Sequence, residues 1–322
     1  MGRRLALGLD VGGTKLAAGL VDSDGTIIGS SRVPTPNLPT NTADQVWTAL
    51  MGLVDEVIGA AGADRADLLG VGIGCGGPMR WPEGIVSPLN LPAWRDFPLR
   101  ERVAEWLPDR TVRLHNDAIC FAVAEHWCGA ARGADAALGV VMSTGVGGGL
   151  LLGGRVVDGF TGNAGHIGHI FVELDGPRCG CGATGCLEAV ARGPALVEWA
   201  QHQGWAAADG GANVSATTAV QLAEDARAGD PIAVAAFARA GTALARALAS
   251  ATNLLDLDVA VIGGGLSNTG SLLFDPLRRE LDNRLTMTYA RRLRVLPAEL
   301  GSAAGVVGAA ALVIGDTYWS RA

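Results

Sequence analysis

Cationic clusters, an uninterrupted apolar run of membrane length and a leader-like N-terminus are all missing from this sequence of 322 residues. With no basic patch and a formal net charge of −7, nucleic acid is excluded as the main partner, because phosphate backbones are gripped by clustered Lys and Arg. An anionic ligand has to find local donors instead. The uncharged stretch 136–154 is broken by seven glycines, so it reads as two strands and a loop rather than a bilayer span. Met1 to Arg4 lead straight into a strand-like run, and the expectation is a cytoplasmic chain with no membrane partner. A Walker sequence and a dinucleotide fingerprint are also lacking, which disfavours a Rossmann-type nucleotide site.

What is present is an apolar fraction of 49%, enough to exclude a disordered class, on a length that suggests about two domains. Leu5–Asp10 reads as a buried strand, Val11-Gly12-Gly13 as a tight turn and Thr14–Val21 as a returning strand, with a second hairpin turn at Asp24-Gly25 before Thr26–Val33. Asp44 opens a helix whose apolar positions Val46, Leu50, Leu53, Val54, Val57 and Ile58 keep helical spacing. Strands follow at Leu68–Ile73 and Thr111–Leu114, and Asn116-Asp117-Ala118 hands the latter over to a helix ending near Cys128. The opening pattern then recurs: strand Leu138–Met142, glycine turn Ser143–Gly148, returning strand Gly149–Leu152, hairpin turn Gly153-Gly154. This duplication of pattern implies two similar α/β halves. Further on, Gly193-Pro194 stops one helix and starts the next, Gly204–Val214 reads as a polar surface loop, and Asp230-Pro231 caps a long helix reaching about Leu255. Val259–Ile262 and Leu293–Leu296 read as strands, and Ala303–Ile314 as a small-residue helix that packs back on the first half.

His169, Cys179, Cys181 and Cys186 stand within eighteen positions, separated by glycines and small residues. Four soft ligands without an adjacent carboxylate ligand favour a closed tetrahedral zinc site, and a closed site builds structure rather than activating water. The remaining thiols, Cys75, Cys120 and Cys128, are most simply buried apolar residues.

Three glycine turns follow three buried strands. The first contains Asp10, Gly12, Gly13, Thr14 and Lys15; the second Ser143, Thr144, Gly145, Gly147 and Gly148; the third Gly264 and Gly265. Glycines let backbone N–H groups approach phosphate oxygens, and the hydroxyls of Thr14, Ser143 and Thr144 add donors. Each turn alone is as readily a hairpin, but matched turns in the two halves suit a nucleotide held across a cleft. Asp10 either shapes its turn or holds a hydrated Mg2+ near terminal phosphates. Asp117 either caps its helix or accepts a proton from an attacking hydroxyl.

Taken together, Asp10-Val11-Gly12-Gly13-Thr14-Lys15, Asn116-Asp117, Ser143 to Gly149, Gly168-His169, the cysteine knot ending in Gly185-Cys186-Leu187-Glu188, and Gly263-Gly264-Gly265 resemble the ROK family of sugar kinases and sugar-responsive repressors. The resemblance implies an α/β fold of two ribonuclease-H-like domains of the actin and hexokinase type flanking a cleft, with the zinc knot in the larger one. Residues 1–116 plus about 303–322 would form the smaller domain, and 117–302 the larger. It implies Asp117 as catalytic base; His169, Cys179, Cys181 and Cys186 as zinc ligands; and Gly77, Asn90, Asn116, Asp117, His169 and Glu188 as sugar contacts. ATP with Mg2+ would be the donor, with polyphosphate as the other possible one, and the protein would pair or form tetramers. The zinc knot would then orient the sugar pocket through His169 and Glu188.

One departure bears on the sugar. Family glucokinases usually carry a glutamate three residues before the zinc histidine, where this chain has His166. A carboxylate accepts two hydroxyl protons, whereas a neutral imidazole offers one donor and one acceptor, so the hydroxyl preference should change. Ala164 to His169 resembles bacterial N-acetylmannosamine kinases, while Asn90-Leu91-Pro92-Ala93-Trp94 with Pro98-Leu99 resembles the glucokinase branch. The expectation is transfer of the γ-phosphoryl group to the 6-hydroxyl of an aldohexose, with an amino or N-acyl hexose favoured over glucose. A sugar-sensing repressor is disfavoured, since only nine residues precede Asp10 and no DNA-binding helix-turn-helix fits there. A sugar-binding protein without catalysis is disfavoured by Asp10, Asp117 and both phosphate turns.

Overall fold

The computed structural model describes residues 4–206, 216–315 and 317–319. In chain order the elements are β1 (Leu5–Val11), β2 (Lys15–Asp22), β3 (Ile27–Pro34), α1 (Ala43–Ala60), β4 (Leu68–Cys75), β5 (Met79–Arg80), β6 (Ile85–Val86), α2 (Leu99–Trp106), β7 (Thr111–Asn116), α3 (Asp117–Trp127), β8 (Ala136–Met142), β9 (Val146–Leu152) and β10 (Arg155–Val156). They continue with α4 (Leu187–Ala191), α5 (Gly193–His202), α6 (Ala216–Ala228), α7 (Pro231–Leu255), β11 (Val259–Gly263), α8 (Ser271–Arg284), β12 (Arg294–Pro297) and α9 (Ala304–Ala311). From position 207 onward, the loop read at Gly204–Val214 lies outside the described residues.

Two five-stranded sheets share one strand order, β3-β2-β1-β4-β7 and β10-β9-β8-β11-β12. In each, an antiparallel hairpin is extended by two parallel strands: β1 pairs antiparallel with β2 and parallel with β4, and β11 runs parallel to both β8 and β12. The repeated sequence pattern is therefore a repeat of topology.

The chain forms two compact units, one of Met1–Asp135, Gly149–Gly165 and Glu299–Ala322, the other of Ala136–Gly148 and His166–Ala298. In the first, the pleat of β1 sorts its side chains by face. Leu5, Leu7, Leu9 and Val11 join the core under α1, together with Val46, Leu50, Val54 and Val57. The alternate positions Ala6, Gly8 and Asp10 face α9, with Ala6 packed among Val306 and Ala310. α9 packs on β1, β4 and α3, so α3 and the residues up to Asp135 lie in the unit that holds β1, past the 116/117 boundary drawn from sequence. Glu125 of α3 is wholly buried, and its carboxylate accepts N–H bonds from Ala130 (3.0 Å), Glu299 (3.2 Å) and Leu300 (3.0 Å). Those bonds fix the run-in to α9.

In the second unit α7 packs on α8, α4 and α5. α7 is long and apolar enough by composition to cross a membrane, but most of it is buried by this packing. Cys75 and Cys120 are buried as expected. Cys128 is a correction: it is half-buried, because it falls at the C-cap of α3 on the surface, its Sγ 3.8 Å from the Asp24 carbonyl.

Candidate functional site

The first glycine turn is closed by its own Gly12 N–H, which donates to Lys15 O at 3.0 Å, and by three bonds from the following loop that engage its carbonyls. Thr35 Oγ1 donates to Gly12 O at 2.7 Å, Asn37 Nδ2 to Gly13 O at 2.7 Å, and the Thr35 N–H to Thr14 O at 3.1 Å. Three carbonyl oxygens that would repel a phosphate are thus tied back into the protein, which suits a turn that presents N–H groups to an anion. Asn37 Nδ2 also donates to Asn90 O at 2.8 Å, and a Cβ added at Gly13 would collide with Asn90. The turn is joined in this way to a residue expected at the sugar. Thr35 and Asn37 carry no signal in the sequence beyond their place in a proline-punctuated loop.

Asp10 emerges at the end of β1 on the α9 face. Its carboxylate is 3.5 Å from the ammonium of Lys15, the only lysine in the chain, and its side chain is 15% exposed. A Cβ at Gly305 would stand 2.6 Å from the Asp10 carboxyl, so the first turn of α9 makes room for it only as glycine. Burial raises the Asp10 carboxyl above its usual range, opposed by the charge and hydrogen bond of Lys15.

Asn116 caps α3 with its Oδ1, accepting from the Ala118 N–H at 3.0 Å, and Asp117 is the first helical residue. Asp117 Oδ1 accepts from that same N–H at 2.8 Å. Its carboxyl is pushed up to about 6 by burial first and by the charge of Asp10 second, with the Ala118 and Asp117 N–H groups pulling the other way. A methyl placed at Gly76 would be 3.7 Å from both Asn90 Oδ1 and Asp117 Oδ2, and one at Gly77 would be 3.8 Å from Asn116 Nδ2. Gly77, Asn90, Asn116 and Asp117 therefore converge around one turn.

The other expected residues gather in the second unit. The second glycine turn is shorter than read from the sequence: it spans Ser143–Gly145, and Gly147 and Gly148 lie within β9, because the backbone returns to strand pairing at Val146. Glu188, on the first turn of α4, accepts from the Val146 N–H at 3.0 Å, where that turn enters β9; a Cβ at Gly145 would stand 3.0 Å from its Oε2. The Gly193 N–H donates to Ser143 O at 2.8 Å, engaging that turn's first carbonyl as well. Gly264 has φ +86°, and a Cβ there would lie 2.7 Å from the Met142 carbonyl carbon, so the Gly264-Gly265 turn abuts the strand end where the Ser143 turn begins. The His166 and His169 rings stack at 6.2 Å. Partial burial and the neighbouring His169 lower the His166 imidazole, with Glu188 opposing.

The ligand atoms of His169, Cys179, Cys181 and Cys186 all lie within 4.8 Å of one another. Cys181 Sγ and Cys186 Sγ are 3.7 Å apart, and Cys179 Sγ is 3.8 Å from His169 Nδ1. Tetrahedral zinc with Zn–S bonds of about 2.3 Å has edges of about 3.8 Å, so the set is compatible with a zinc ion.

A buried carboxyl beside amide side chains in one unit, and a glycine turn with a Cys/His cluster in the other, are compatible with a sugar kinase. The chain belongs to the ROK family, whose description matches residues 6–316. It is 34% identical over 315 residues to a glucokinase of Thermotoga maritima, covering 95% of this chain and 96% of that one. It is 35% identical over 322 residues to an N-acetyl-D-glucosamine kinase of Pectobacterium atrosepticum, covering 96% and 99%. Among solved structures it superposes on a ROK family glucokinase from Streptomyces griseus in complex with glucose and AMPPNP, with a TM-score of 0.78, 34% identity and coverage of 96% and 98%.

Proposed function

We propose that the protein is an ATP-dependent kinase that phosphorylates the 6-hydroxyl of an aldohexose, with Asp117 as general base. The observation that carries this reading is the Asp117 carboxyl, pushed up to about 6 and set beside Asn90, Asn116 and Gly77. A carboxylate tuned near neutrality is well matched to take a hydroxyl proton. As that proton moves to Asp117, the sugar oxygen bonds to the γ-phosphorus and the bond from phosphorus to the β,γ-bridging oxygen breaks, leaving ADP. Little covalent work falls to the protein in such a transfer, so positioning and charge stabilisation supply most of the rate.

The backbone turns at Gly12-Gly13-Thr14 and at Ser143–Gly148 are assigned to the phosphates, with Gly264 and Gly265 supporting the second. Asp10 is a hard oxygen donor suited to hold Mg2+ through water, and the ion would neutralise charge building up on the transferred phosphoryl group. The knot of His169, Cys179, Cys181 and Cys186 fits structural Zn2+, whose role would be to hold the loop that carries His169. The family resemblance supports Gly77, Asn90, Asn116, His169 and Glu188 as sugar contacts.

His166 supports an amino or N-acyl hexose over glucose. Its imidazole, lowered in pKa, is a neutral donor and acceptor where a glutamate would accept twice. The relation to an N-acetyl-D-glucosamine kinase agrees with this, whereas the equal relation to a glucokinase supports unmodified glucose as the second reading. Initial rates with ATP and Mg2+ on glucose, mannose, glucosamine, N-acetylglucosamine and N-acetylmannosamine test both. The expected result is a higher kcat/KM on an amino or N-acyl sugar. A preference for glucose by orders of magnitude removes the role given to His166, and no transfer to any hexose removes the kinase reading.

A further inference from the structure

β7 is the edge strand of its sheet and pairs only with β4, so its outward backbone groups need partners other than a strand. At its last residue a side chain meets that need. The Asn116 N–H donates to His115 Nδ1 at 2.8 Å. A backbone N–H only donates, so Nδ1 carries the lone pair and the ring proton sits on Nε2. Nε2 lies 2.8 Å from Asp158 Oδ1 and therefore donates to that carboxylate.

Both partners are out of water, His115 completely and Asp158 at 6% exposure. The imidazole lies against Trp81, ring centroids 5.3 Å apart, and presents its edge to Trp319 at 6.3 Å. With both ring nitrogens engaged and aromatic rings around it, the ring is held in one orientation.

An apolar residue would fill this place at lower cost. The apolar residues Val112 and Leu114 of β7 fill the core on the opposite face of the strand, and burying an imidazole with a carboxylate on this face carries a desolvation penalty that packing does not recover. What the pair adds is direction at one backbone group. The Asn116 N–H belongs to the peptide that leads into the helix cap and the Asp117 carboxyl.

The geometry points to His115 and Asp158 as positioning residues for the base: the hydrogen-bond chain from Asn116 N–H through His115 to Asp158 fixes the turn between β7 and α3, and with it the direction in which Asp117 presents its carboxyl. This rests on the reading of Asp117 as the base. A misplacement of about 1 Å at a reacting group is enough to cost up to a hundredfold in rate.

Full-length His115→Phe, Asp158→Leu, Asp158→Asn and Asp117→Asn proteins test it, with kcat expressed per binding-competent molecule counted by calorimetric titration with sugar. His115→Phe and Asp158→Leu are expected to lower kcat by about tenfold to a hundredfold while KM for sugar and ATP changes little. Asp158→Asn keeps an oxygen for the Nε2–H and is expected to retain most of the turnover. Normal kcat in both His115→Phe and Asp158→Leu overturns the inference, as does an Asp158→Asn protein as slow as Asp158→Leu. If Asp117→Asn loses turnover while the other variants keep theirs, the base stands and only the positioning fails; if Asp117→Asn keeps turnover, the assignment of the base fails and the positioning with it. Nitrogen-15 spectra of the wild-type imidazoles read the tautomer independently of how the variants fold: a proton on Nε2 of His115 is expected, and one on Nδ1 overturns the proposal.

Discussion

Burial and the charge of Asp10 hold the Asp117 carboxyl at about 6, against an ordinary value of 3.8. Two consequences have opposite signs. A base must be deprotonated, so kcat/KM is expected to fall on the acid side with a midpoint near 6, about tenfold per pH unit below it, in a rate profile on saturating ATP. Stability runs the other way. Because the folded protein holds this proton more tightly than the unfolded chain, the contribution is fully present below about 3.8 and is lost as pH rises through about 6, a cost on the order of 3 kcal/mol at neutral pH. Asp117→Asn should therefore lower turnover by several orders of magnitude, leave sugar affinity largely intact and raise the melting temperature at pH 7.5. A variant that melts lower than wild type would show that the carboxylate is not strained. Lys15 offers a second check, since no other lysine competes for an amine reagent. Saturating ATP with Mg2+ is expected to suppress acylation of its side chain, read as a single mass increment on the peptide that contains it. Asp10, Lys15 and Asp117 could be singled out in the sequence because each borders a turn, Asp10 near the end of β1, Lys15 at the start of β2 and Asp117 just past β7. Thr35, Asn37, His115 and Glu125 could not, because their roles depend on partners brought close only by folding, as with Glu125 and Leu300, 175 positions apart.

At the scale of elements, the first glycine turn has three of its carbonyls engaged elsewhere, which suits the phosphate role proposed for it. Thr35→Val keeps the shape and the backbone bond to Thr14 O but releases Gly12 O. The loss of one hydrogen bond of about 1 kcal/mol should raise KM for ATP roughly fivefold with kcat little changed; an unchanged KM in steady-state kinetics would mean that the turn does not meet the phosphates. The hairpins and parallel strands that carry these turns could be read in advance, since apolar runs bounded by Gly, Asp and Pro mark most strand ends within a residue or two; β9 is the exception, beginning at Val146 where the glycine run had suggested Gly149. Asp44 and the apolar spacing likewise foretold α1, although the cap is Thr42, whose hydroxyl bonds to the Gln45 N–H. α2 and α6 gave no such warning. α2 has only eight residues and fully buries just Leu99 and Val103, with Ala104 and Trp106 partly covered, so its period is too short to register. β5 and β6 pair over two residues each, below any detectable alternation.

At the scale of the whole molecule, the two units are stabilised by different means. The first has a continuous core running from Leu5 to Leu114 between α1 and the facing side of its sheet. In the second, the segment between His169 and Leu187 has almost no core of its own: Phe171 is 66% and Leu174 95% exposed, and the buried cluster there amounts to Cys179, Cys186 and Ala189 with Ala183 beside them. Backbone bonds from Val172 N–H to Gly185 O (2.8 Å) and from Cys179 N–H to Ala183 O (2.8 Å) shape the loop, but too few apolar groups are buried to hold it. Burial and the neighbouring sulfurs push the Cys186 thiol up to about 12, so without a cation it stays protonated, and a zinc ion held there would supply the crosslink that the loop's few buried groups do not. The segment was recognisable from its ligand spacing alone, whereas its dependence on that crosslink follows from how little it buries. Chelation to verified metal-free protein is therefore expected to open residues 170–187 to hydrogen exchange and proteolysis, and to weaken sugar binding by about tenfold or more, a change of 1.4 kcal/mol. The amides of β1 and β4 should stay protected in the same experiment. Equal loss of protection in both units would mean that the ion supports the whole fold, and no loss in either would remove the knot as a metal site.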